Sequence, residues 1–143
     1  MKKMPMCNTI SYLMVQICKA HRNKANELLG MHELHAGQEL MLEHVSQQEG
    51  ITLNELTTEM GVSAVTTTRM VGRLEKNGFL EKVKCSEDQR AIRVYLTDKG
   101  KETACEIAKR TWGELEEQMT ANLSTEEKVL LKRLLMQVLE NFS

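Results

Sequence analysis

The chain has 143 residues, 41% hydrophobic and 27% charged, enough for one cored domain with at most an added helical layer. It carries no apolar run long enough to span a bilayer, no secretory signal, and four cysteines without a CxxC pair. These features exclude a membrane protein and a disulfide scaffold and predict a cytoplasmic chain. With a net charge of −1, any surface for nucleic acid has to be local.

Residues 1–7 read as a loose leader holding the one proline, Pro5. A first helix is predicted over Asn8–Leu29. Ile10, Leu13, Met14, Ile17, Cys18, Ala25, Leu28 and Leu29 keep helical spacing, and Gly30 is a fitting stop. A second helix is expected over His35–Gln48, with Leu34, Leu40, Met41, Leu42 and Val45 on its buried side and Gly50 as its stop. Thr52-Leu53-Asn54-Glu55 has the pattern of a capping box and opens a short third helix, Leu53–Met60.

A turn at Gly61-Val62 leads to Ser63, an N-cap for a fourth helix running to about Asn77. Thr67, Met70, Val71 and Leu74 fall on one face of it, and Val65, Thr68, Arg69, Gly72, Arg73 and Lys76 on the other. Asn77-Gly78 closes that helix. A hairpin follows, pairing Phe79–Lys84 with Ile92–Thr97 across a charged tip that carries Glu87, Asp88 and Arg90. One long helix is then predicted from Asp98 to Met119, with Ala104, Ile107, Ala108, Thr111, Leu115 and Met119 as its stripe. A second capping box at Ser124–Glu127 opens a last helix, whose broad apolar face is Leu130, Leu131, Leu134, Leu135, Val138 and Leu139.

Helix, tight turn, helix and charged hairpin over Leu53–Thr97 make a winged helix-turn-helix. The expected class is mainly α (α+β), a winged helix-turn-helix with flanking N- and C-terminal dimerisation helices. The predicted regions are 1–34, an N-terminal dimerisation helix; 35–100, the winged region; and 101–143, the C-terminal dimerisation helices. Between Ser63 and Arg93 the cations Arg69, Arg73, Lys76, Lys82, Lys84, Arg90 and Arg93 outnumber Glu75, Glu81, Glu87 and Asp88.

A recognition helix needs small hydrogen-bonding side chains where base edges are approached and cations further along for phosphates. Ser63, Val65, Thr66, Thr68, Arg69, Arg73 and Lys76 fit that pattern. Arg93 and a wing-tip Arg90 braced by Asp88 extend it towards the minor groove. The expected partner is double-stranded DNA. A small winged domain leaves too little core to cover three long apolar helices, so a second copy of the chain is expected as well. A two-fold dimer sets its recognition helices one DNA turn apart, ~34–36 Å, on a pseudo-palindrome.

Asp88-Gln89-Arg90-Ala91-Ile92-Arg93-Val94-Tyr95-Leu96-Thr97 resembles the signature of the MarR family of bacterial regulators. Leu74–Leu80, Thr97–Gly100 and Leu34–Gln38 are similar to its recognition-helix end, its entry to the next helix and its second-helix start. Where this chain has His35-Ala36, the family more often has Thr-Pro. The resemblance implies a dimeric regulator, more often a repressor, that leaves its operator when a signal binds. It also implies a ligand-sensitive cleft between the winged region and the dimer helices, taking small phenolic or other lipophilic compounds.

Candidates near such a cleft are Tyr12, His35, Met41 and Met70. Cys7 is a redox candidate, since a thiolate near a helix N-terminus is activated; Cys18 reads as buried. His32, His35 and His44 with Glu33 are the histidine cluster nearest to a metal pattern, and no metal is expected. No cofactor is implied. The chain has no nucleophile–base pair and no phosphate loop, which argues against an enzyme. The contrasting reading is a winged-helix protein–protein adaptor without DNA binding.

Overall fold

The computed structural model describes residues 9–85 and 91–143. Helix α1 (Ile10–Leu29) is capped by Thr9, whose side chain accepts the Tyr12 N–H at 3.1 Å. It does not break at Gly30, which stays right-handed and begins a 3-10 turn, Gly30–His32. The chain reverses instead at Glu33, in the left-handed region at φ 62°. That reversal lets the Leu34 N–H bond the Leu29 carbonyl at 3.1 Å and buries both side chains.

Helix α2 (Gln38–Gln47) starts three residues after the expected His35. Three side chains hold the N–H groups of the turn before it. Gln38 accepts from His35 at 2.9 Å, Asn26 from Ala36 at 2.6 Å, and Glu39 from Gly37 at 2.8 Å.

A two-residue strand, β1 (Ile51–Thr52), precedes α3 (Leu53–Met60) and was not legible in the sequence. Half of the expected capping box forms. Thr52 accepts the Glu55 N–H at 3.2 Å, but the Glu55 carboxylate takes the Gln48 side-chain amide at 3.1 Å. Gly61, at φ 67°, ends α3 and donates to the Thr57 and Thr58 carbonyls. Glycine reaches that left-handed conformation without steric cost, so the helix-turn-helix bend closes within three residues.

Helix α4 (Ala64–Lys76), β2 (Leu80–Lys84) and β3 (Ile92–Leu96) complete the winged unit. The sheet is antiparallel, in the order β1-β3-β2, with Ile51 opposite Val94 and Lys82 opposite the same residue. Leu42, Val45, Leu56, Val71, Leu74, Phe79 and Val94 fill the core beneath it.

Thr97 caps α5 (Asp98–Glu106) through the Gly100 N–H at 3.0 Å. The expected single helix to Met119 is interrupted by a π-helical turn, Ile107–Thr111, before α6 (Trp112–Met119). The physical reason lies in the spacing of its buried residues. Thr103, Ile107, Thr111 and Leu115 repeat every four residues and are all buried. A four-residue repeat drifts around an α-helix of 3.6 residues per turn, and the wider π turn offsets the drift. Ala108 and Met119, also expected in the stripe, are exposed.

Gly100 sits where α5 crosses the end of the hairpin, and a Cβ there lands on the Phe79 carbonyl oxygen. Gly100→Ala is therefore expected to cost about 1–3 kcal/mol, because backbone on both sides has to move. Thermal denaturation checks this, and an unchanged midpoint contradicts it.

Helix α7 (Thr125–Glu140) opens with a full capping box. Ser124 accepts the Glu127 N–H at 3.1 Å, and Glu127 accepts the Ser124 N–H at 2.8 Å. None of its residues is buried in the single chain. On α1 only Ala25 and Leu29 are buried, and Leu13, Ile17 and Cys18 are exposed, contrary to the burial expected for Cys18. Leu40 of α2 is likewise exposed. No helix among the described residues is long and apolar enough to cross a membrane.

Candidate nucleic-acid interface

Helix α4 presents two distinct faces. Thr67, Val71 and Leu74 are buried, while Val65, Thr68, Arg69, Arg73 and Lys76 are exposed. The N-terminal end is held rigidly. The Ser63 hydroxyl accepts the Thr66 N–H at 3.1 Å and donates to the Thr66 hydroxyl at 2.9 Å, and the Thr67 hydroxyl returns to the Ser63 carbonyl. Ser63 therefore serves mainly as the cap, and Thr66 is its partner. The outward groups at this end are the Val65 side chain, 68% exposed, and the Thr68 hydroxyl.

Arg69 and Arg73 follow at one-turn intervals, and neither forms an ion pair among the described residues. Lys82 differs. It bridges to Glu75 at 3.3 Å and ties β2 to α4, so part of its charge is spent inside the protein. Arg93 is also engaged, donating to the Gly50 carbonyl at 2.8 Å and bracing the turn before β1. Asp88 and Arg90 of the wing tip lie outside the described residues, as does Cys7.

The four effector candidates do not come together. Met41 is fully buried in the core, and Met70 packs against that core. His35 lies at a polar cleft of about 300 Å³ with Arg73 and Lys76, and Tyr12 is half-buried on α1. A groove of about 880 Å³ lies between α1, the start of α2, and α6 and α7. Ile10, Leu13, Ile17, Leu131 and Leu135 give it aliphatic walls, and Glu39 and Trp112 also line it. Neither Glu39 nor Trp112 was a sequence candidate; a glutamate in the first turn of a helix ordinarily signals only a favourable helix dipole.

His32 lies 4.0 Å from Glu106. No three His, Cys, Asp or Glu side chains among the described residues gather closely enough to hold a metal ion.

The profile of the MarR family matches residues 34–92, from Leu34 in the α1–α2 connection to the start of β3. The HTH-type transcriptional regulator BilQ of Clostridioides difficile is 30% identical over 127 residues, spanning 88% of this chain and 85% of BilQ. The chain belongs to the MarR family. Its fold extends that relationship beyond the winged unit. A mutant of Escherichia coli MarR in complex with operator DNA superposes with a TM-score of 0.83 at 26% identity, covering 96% of this chain and 99% of that one. A MarR protein from Peptoclostridium difficile shares the fold over 99% of this chain and 93% of its own, with a TM-score of 0.86. As a MarR-family member the chain is a transcriptional regulator of the winged helix-turn-helix type, not an enzyme.

Proposed function

We propose that this MarR-family chain is a cytoplasmic homodimeric repressor that binds a pseudo-palindromic operator and leaves it when a small molecule binds. The observation that carries the reading is the outward face of α4, where Val65 and Thr68 precede Arg69 and Arg73, which form no ion pair among the described residues. An apolar side chain suits a thymine methyl, a hydroxyl suits a base edge, and arginines suit guanine or phosphate. The structural likeness to a MarR chain in complex with operator DNA supports DNA as the partner.

The dimer is supported by α7. A 16-residue helix with no buried residue leaves much of its apolar face open to water in a single chain. The aliphatic groove between α1 and α7 gives a second copy a complementary seat. The operator then holds two recognition helices ~34–36 Å apart.

Selection of bound fragments from genomic DNA tests the reading. The expected outcome is enrichment of inverted repeats with half-sites one helical turn apart. Uniform recovery of all fragments contradicts it.

A further inference from the structure

The outward surface at the start of α4 is less polar than its composition suggests. Ser63, Thr66, Thr67 and Thr68 bring hydroxyls to it, yet most of these are used inside the protein. Ser63 caps the helix and donates to the Thr66 hydroxyl at 2.9 Å. Thr66, which receives that bond, is half-buried. Thr67 is buried, with its hydroxyl on the Ser63 carbonyl. Val65, by contrast, is 68% exposed and carries no polar group, and Val62 just before the cap is exposed as well.

An exposed valine is a weak helix former, and its methyls contribute nothing to stability while they stay in water. It has one property that suits recognition. Inside a helix its χ1 is held almost wholly in one rotamer, so both methyls keep fixed positions and lose little entropy when covered. The charges further along the same side indicate what covers them. Val65, Arg69 and Arg73 follow at four-residue intervals, which places them in one row. Both arginines are exposed and form no ion pair among the described residues, so the row suits a polyanion. In the major groove of a duplex the apolar feature on offer is the C5-methyl of thymine. Hydrogen-bonding side chains cannot read it, and an aliphatic one can.

We infer that Val65 is a specificity-determining residue that reads a thymine C5-methyl in each operator half-site. The base is selected there by contact between methyl groups and not by hydrogen bonding. This assignment rests on the DNA-binding reading above and goes beyond it by naming the base and the group recognised. Uracil lacks that methyl, and 5-methylcytosine carries it on a different pyrimidine. Recognition at this position therefore follows the methyl, whichever pyrimidine bears it.

The test uses the full-length protein and the inverted repeat recovered by selection from genomic DNA. Each thymine of one half-site is replaced in turn by deoxyuridine, which removes the methyl and keeps every hydrogen-bonding group. The wild type is expected to lose about fourfold in affinity at one thymine, as one uncovered methyl requires. With cytosine at that position binding is weak, and 5-methylcytosine recovers a similar factor. Val65→Ala changes an exposed side chain to a better helix former, so the fold is kept. It is expected to bind the thymine and uracil duplexes equally.

Equal affinity of the wild type for every uracil duplex overturns the inference. A uracil penalty that persists in Val65→Ala also overturns it, because the methyl contact then belongs to another side chain such as Thr68. The two readings fail differently. Selection that recovers no inverted repeat overturns the DNA reading and this one together. A repeat that is bound tightly but is indifferent to uracil overturns this one alone.

Discussion

Arg69→Ala is expected to weaken operator binding by about 1–3 kcal/mol, roughly five- to 150-fold, without altering stability. The first part follows from position. Arg69 lies one turn into the exposed face of α4, beyond the cap made by Ser63 and Thr66. The second follows from its surroundings, because Arg69 is exposed and forms no ion pair among the described residues. Titration of a labelled operator at two salt concentrations separates its roles. If the arginine holds only a phosphate, affinity falls uniformly across operator variants and the salt slope drops by about one. If it reads a guanine, the loss is concentrated at one base pair. Wild-type affinity in a folded variant removes α4 from the interface. By contrast Lys82, bridged to Glu75, is expected to matter less when removed.

A single charge on the α7 face is expected to have a larger effect. Leu135 is 40% exposed in the single chain and lines the aliphatic groove with Leu131 and Leu13. In a two-fold dimer, Leu135→Glu buries two carboxylates, one from each copy, without partners, and that is strongly destabilising. Sedimentation is expected to show monomers where the wild type is a dimer. Operator affinity is expected to fall by about 100-fold or more, because each half-site is then held by an independent chain. A variant that sediments as the wild type contradicts this use of α7.

The parts legible in the sequence were those specified by local chemistry. Gly61 and Ser63 mark the bend between α3 and α4 because a left-handed glycine and a capping hydroxyl act within one turn of chain. Thr97 and Ser124 open their helices in the same way. The alternation of Val94 and Leu96 with Arg93 and Tyr95 gave the inner face of the wing.

The parts that were not legible depend on distant packing. Strand β1 is two residues long and exists because Ile51 pairs with Val94, 43 positions away. The π turn answers a four-residue burial repeat that also reads as an ordinary amphipathic stripe. Glu33 takes the reversal that Gly30 was expected to make, because Leu34 is pulled back onto Leu29.

The candidate sites divide along the same line. Of the α4 candidates, Ser63, Val65, Thr68, Arg69, Arg73 and Lys76 emerge exposed as helix periodicity predicts, while Thr66 and Gly72 are half-buried. The effector candidates were chosen by residue type, and type does not separate a core methionine such as Met41 from one beside a cavity. Glu39 was missed because its burial comes from tertiary packing that no local pattern shows. In the sequence it is one more acid near a helix start.

The central claim is that two copies of the chain hold one operator through α4. Its most direct test is a sedimentation titration of a selected palindromic duplex with the full-length protein at low and near-physiological salt. The account predicts two chains per duplex, with affinity falling by about 10³-fold or more between 50 and 200 mM salt, as several phosphate contacts require. One chain per duplex, or an affinity indifferent to salt, contradicts it.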